Sequence, residues 1–95
     1  MTTAVAAPAE ITVTVTLDDI ERGTKGSETN CAWAVAFADA GYSQPTVYAT
    51  GEVETAQGNF AAVDHEAFWE WLRRFDVGLL VTPERFRFRR AVARP

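Results

Sequence analysis

The chain has 95 residues, one cysteine and a formal net charge of -4. That is the length of one domain, and one with a thin core, since a chain this short hides only about 60 to 65% of its unfolded surface. A hydrophobic fraction of 47% with 12% aromatic residues excludes a disordered chain, and Cys31, standing alone, excludes an internal disulfide.

The first stretch, Met1 to Ala9, is small, polar and broken by Pro8, and reads as a loose tail. It carries no charged start followed by a long apolar run, and no stretch reaches the roughly 18 apolar residues of a membrane span, so the expected location is the cytoplasm. "EITVTVTLDD" then alternates: Ile11, Val13, Val15 and Leu17 face one way and Thr12, Thr14 and Thr16 the other, the two-residue period of a half-buried strand. "DDIERG" allows one helical turn, with Asp18 or Asp19 capping it and Gly23 closing it.

"TNCAWAVAFADAG" predicts a helix, with Ser27 or Thr29 as cap and Gly41 as the left-handed exit. At 100° per residue Cys31, Ala34, Val35 and Ala38 form its inner face, Trp33 and Phe37 flank them, and Ala32, Ala36 and Asp39 remain for water. "PTVYATGEVET" and "NFAAV" read as two strands joined through "AQG", with Gly58 or Asn59 taking the positive φ of the turn.

"VDHEAFWEWLRRFDVG" carries the signature of an amphipathic helix: Asp64 as N-cap, Gly78 as stop, and Phe68, Trp71, Leu72 and Phe75 on the inward face. Glu70 and Arg74 are spaced to pair, and Trp69 falls at the edge of the apolar stripe. The chain ends on "ERFRFRR". Its period sends Phe86 and Phe88 inward, because burying two Phe side chains contributes roughly 4 to 6 kcal/mol while exposed arginine is nearly neutral. Arg85, Arg87 and Arg89 then face solvent, beside acidic neighbours such as Glu52 and Glu54.

Strand, helix, strand, strand, helix, strand is the βαββαβ order. The expected fold is α+β: a four-stranded antiparallel sheet with two helices on one face, like the split βαβ plan of ferredoxin-like domains. Residues 10–92 form the single domain, with tails at 1–9 and 93–95.

Charge is unevenly spread, -8 from Met1 to Glu66 and +4 from Ala67 to Pro95. Whether that polarity survives folding depends on which strands become neighbours. A nucleic-acid interface built on Arg85, Arg87, Arg89 and Arg90 is the rival reading of the last strand. It is disfavoured because stacking needs rings on the same face as the arginines, and here they take opposite faces.

Other chemistry finds little support. Cys31 at a helix start, with His65 as the one base, is the best nucleophile, but it sits on the core stripe. Asp18, Asp19 and Glu21 lack the spacing of a calcium loop, so no metal and no cofactor are expected. No phosphate loop, zinc spacing or nucleophile elbow occurs, so the chain is read as not an enzyme. What remains is aromatic surface. Trp33, Trp69, Tyr42 and Tyr48 are the candidate partner-binding residues, with Arg87 and Arg89 as a charged rim, and the partner is another protein or a second copy of the chain, giving a homodimer.

Three stretches carry a resemblance: "ITVTVTLDDIERG", "NCAWAVAFADAG" and "FDVGLLVTPERFRF". Together they resemble a loose family of small uncharacterised proteins encoded by actinobacteria and their phages. That pattern runs from a Thr/Val strand through an Asp-Ile-x-x-Gly turn and a helix opening Cys-Pro-Ile-Ala to Phe-Asp-x-Gly-x-x-Val-x-Pro before a Phe-x-Phe strand. It covers most of Ile11 to Phe88, and this chain departs from it in having Ala32 and Trp33 where the family has Pro and Ile. The resemblance implies no activity and no functional residues. It implies an accessory phage product that binds and modulates a host or competing-phage protein.

Overall fold

A computed structural model describes residues 10–91, so both expected tails and Val92 lie outside the described residues. The Thr/Val alternation folds as β1 (Glu10–Val15), with Val13 and Val15 buried. A capping box ends the strand: the Thr16 side chain accepts the Asp19 N–H at 3.1 Å and the Asp19 carboxylate accepts the Thr16 N–H at 2.9 Å. Thr16 is therefore the cap of α1 (Leu17–Arg22), in place of Asp18 or Asp19. Leu17, expected inward as a strand residue, becomes the first residue of this helix and is 60% exposed.

Gly23 closes α1 where its backbone meets the next helix; a Cβ there would lie 2.5 Å from the Ala32 nitrogen. That helix, α2 (Ala32–Asp39), starts at Cys31 without a side-chain cap, because Ser27 spends its hydroxyl on the Asn30 N–H within the preceding loop. Gly41 takes the left-handed exit at φ 101°. The helix is rolled from the expected orientation. Trp33 and Phe37 are fully buried, Ala32 and Ala36 are covered because α1 packs on α2, and Ala38 is exposed. Two large rings outweigh small alanines in deciding which side turns inward.

"PTVYATGEVET" splits in two: β2 (Thr46–Val47) and β3 (Glu52–Thr55) flank a turn in which Gly51 has φ 94°. β3 and β4 (Gly58–Ala62) form the expected hairpin, with Gly58 at φ 134°. Asp64 caps α3 (His65–Asp76) by accepting the Ala67 N–H, and Phe68, Trp71, Leu72 and Phe75 are buried as the periodicity predicts. β5 (Glu84–Ala91) ends the described chain.

The α+β class holds, but the described residues form five strands and three helices, and the sheet order is β1-β5-β4-β3-β2 with every pairing antiparallel. A split βαβ plan sets one strand between the two that its first helical crossover joins, whereas here those two, β1 and β2, stand at opposite margins with three strands between them. Here β2, β3 and β4 follow one another through tight turns, β5 returns beside β4, and β1 pairs with the far side of β5. The ferredoxin-like order is thus corrected to a meander with the first strand added at its margin.

Phe88 is fully buried and Phe86 partly so, while Arg85, Arg87 and Arg89 are exposed. The strand orientation read from the sequence stands. Rings from α2, α3 and β5 fill the core: Trp33 lies 5.3 Å from Phe68, 5.6 Å from Trp71 and 5.4 Å from Phe86, centroid to centroid. Among the described residues, helices cover one face and leave the other open.

Candidate functional site

Trp33, expected at the surface, is the hub of that core and unavailable to a partner. Tyr42 is half-buried, its ring 5.7 Å from Phe37 and 5.3 Å from Phe60. Trp71 is buried with its indole N–H donated to the Thr82 carbonyl at 2.9 Å. Of the three tryptophans, Trp69 alone is exposed, at 46%.

Its exposure follows from helix geometry. Phe68, Trp71, Leu72 and Phe75 occupy the inward stripe at spacings of three and four, so position 69 falls at the stripe's margin. There the turn between β2 and β3 rises opposite the helix. Ala49 and Thr50 from the turn and His65, Glu66, Trp69 and Glu70 from α3 line an open groove of about 640 Å³. A smaller hollow continues past Trp69 between Ala49 and Arg73, Asp76 and Val77.

Charge brackets the ring. The Arg73 guanidinium lies 5.7 Å from the Trp69 centroid and donates to Glu70 at 2.9 Å, with Arg74 at 3.8 Å from the same carboxylate oxygen. These arginines hold the Glu70 carboxyl below its ordinary pKa. The groove therefore offers an aromatic wall with a rim of fixed charge. Trp69 was legible from helical periodicity; Ala49 and Thr50 were not, since nothing local says which helix a turn will face.

A second exposed apolar area lies at the end of the fold where α1 meets the segment before β5. Leu17, Ile20, Phe75, Leu79, Leu80 and Val81 line a hollow of about 460 Å³, and Leu80 is 85% exposed.

On the open sheet face the charge asymmetry of the chain persists. β5 lies between β1 and the uncharged β4, so Glu52 and Glu54 on β3 are not next to its arginines. Glu10 instead faces Arg87 at 3.3 Å and Arg89 at 3.9 Å. Tyr48 belongs to the acidic side, half-buried, its hydroxyl donated to Glu54 at 3.0 Å. Arg90, grouped by sequence with the outward arginines, has the parity of Phe88 and lies on the inner side, 5.0 Å over the Phe60 ring.

The Cys31 thiol is buried, and burial pushes its pKa up, opposite to what a nucleophile needs. Asp18, Asp19 and Asp39 bring carboxylate oxygens within 4.8 Å of one another. Arg22 donates to all three, at 2.7 Å to Asp18 and 3.2 Å to Asp19. Within this group burial raises the Asp19 pKa, while hydrogen bonds from Asp19 and Arg22 lower that of Asp39. Asp39, which Asp18 and Asp19 meet in place of Glu21, comes from α2, seventeen residues beyond Arg22. Capping and ion pairing account for the cluster.

No protein-family model, characterised relative or solved structure matches the chain.

Proposed function

We propose that the chain is a small non-catalytic protein-binding domain whose contact point is the Trp69 groove. The observation that carries this is a large indole held 46% exposed beside an open hollow, in a domain that buries its other two. Exposed tryptophan flanked by arginine is the composition that concentrates binding energy at interfaces. The groove suits an apolar side chain lying between Ala49 and Trp69, with a basic neighbour meeting Glu66. Tyr48, Arg87 and Arg89 lie on the open sheet face and serve as secondary contacts. The phage-family resemblance directs the search to host or competing-phage proteins, which places the action in the host cytoplasm.

Affinity capture from host lysate with wild-type and Trp69→Ala baits tests the reading. The substituted bait is expected to lose a protein that the wild type retains; identical capture by both contradicts the proposal.

One observation favours the rival: Arg85, Arg87 and Arg89 stand in a row on an open sheet face. Phosphate binding by that row must weaken steeply with salt, so a gel-shift titration at two ionic strengths separates the readings.

A further inference from the structure

β1 forms one margin of the sheet, and the direction of its free backbone groups follows from one hydrogen bond. Val63 donates its N–H to the Arg87 carbonyl at 2.9 Å, so the backbone groups of Arg87 point toward β4. They alternate sides along a strand, so those of Phe86 and Phe88 point toward β1, where they meet Val13 and Ile11. Glu10, Thr12 and Thr14 consequently aim their N–H and C=O groups off the edge. Among the described residues nothing bonds to them.

The opposite margin is handled differently. β2 has two residues, and the Val47 N–H is already donated to the Glu28 carbonyl at 2.8 Å. β1 has six residues and, among the described residues, no covering segment, and within it there is no lysine, proline or bulge, with its one charge at the end.

We propose that two copies of the chain pair antiparallel through β1, about a two-fold axis at Thr12, joining their sheets into one of ten strands. The register is dictated by which groups are free. Buried faces stay matched only if opposed residues have the same parity, and the free groups sit on even-numbered residues. Thr16 is excluded from the ladder because its N–H bonds Asp19 at 2.9 Å and its C=O accepts the Ile20 N–H at 3.0 Å. Centring the axis on Val13 or Thr14 would set Glu10 or Thr12 against Thr16. Centring it on Thr12 opposes Thr12 with itself and Glu10 with Thr14 of the second copy, so every free group finds a partner.

The side chains agree with this register. Threonine meets threonine on the open face, and Ile11, half-buried in one copy, meets Val13 on the covered face. Thr14 lies across from Arg85 within each copy, so Glu10 enters a row with its own Arg89 on one side and, beyond Thr14, Arg85 of the second copy on the other. A different extended chain would have to reproduce this pattern; a second copy has it already. A single strand edge is a small contact, so the dimer is of the weak, concentration-dependent class.

Light scattering across a concentration series, with the full chain, tests the pairing. Wild type and Trp69→Ala are expected to dimerise alike, which separates this interface from the groove. Thr14→Pro removes an outward N–H without touching the β5 ladder and is expected to weaken association at least about tenfold. Should near-ultraviolet dichroism show that variant unfolded, a Thr12→Lys, Thr14→Lys double substitution, which adds like charges to the shared edge, takes its place with the same expectation. Thr12→Cys is expected to cross-link to itself through a short bismaleimide and Thr14→Cys is not. A monomer at every concentration, a dimer indifferent to these edge substitutions, or cross-linking of Thr14→Cys in preference to Thr12→Cys overturns the proposal.

Discussion

Trp33 and Phe88 meet edge to face, 5.7 Å between ring centroids and 63° between planes, joining α2 to β5 at the centre of the core. The contact explains why the helix rolls its rings inward. It also explains why Phe88 faces in and the arginines beside it face out.

Replacing Trp33 with Ala should cost about 3 to 5 kcal/mol, a large part of the roughly 5 to 15 kcal/mol that holds a domain folded. Trp33→Phe should cost much less, because the indole N–H is buried with no partner among the described residues and phenylalanine removes that donor. Denaturant midpoints check both. A Trp33→Ala loss below about 1 kcal/mol would show that the indole is not the hub.

The Glu70 carboxyl is held low by Arg73 and Arg74. A depressed carboxylate stabilises the fold above its unfolded pKa, and the gain is lost as pH falls through the folded value, because the unfolded chain binds the proton first. Stability should therefore fall on acidification below the ordinary carboxylate range, and Glu70→Gln should flatten part of that slope. The effect is small for so exposed a pair. Thermal melts from pH 6 to about 3 measure it, and equal slopes in both proteins would count against the pairing.

Burial raises the Cys31 pKa and closes access to its sulfur. Alkylation by iodoacetamide at neutral pH should be slow in the folded protein and become ordinary in denaturant. Fast labelling of the native state would return Cys31 to the list of reactive groups.

Local rules carried much of this fold. The two-residue period fixed the faces of β1 and β5, and the four-residue spacing fixed the inward stripe of α3 and the marginal place of Trp69. What was not legible depends on which elements meet. A capping box formed by Thr16 and Asp19 ended the first strand at Val15, before Leu17, and Leu17 left the core with it. Trp33 looked like surplus surface because periodicity alone set the alanines of α2 inward; in the fold α1 covers Ala32 and Ala36, and Trp33 turns to the rings of α3 and β5. Arg90 looked like one more outward arginine because a run of two arginines hides the change of face. Strand order was beyond local reading, since it rests on β1 choosing the free side of β5.

The central claim is that Trp69 contacts the partner while Trp33 and Trp71 do not. Protein labelled with 5-fluorotryptophan gives three fluorine resonances, with Trp69 assigned by its loss in Trp69→Phe. On addition of the captured partner the Trp69 line is expected to shift or broaden strongly while the two core lines hold their positions. Binding that leaves the Trp69 line unmoved contradicts the account.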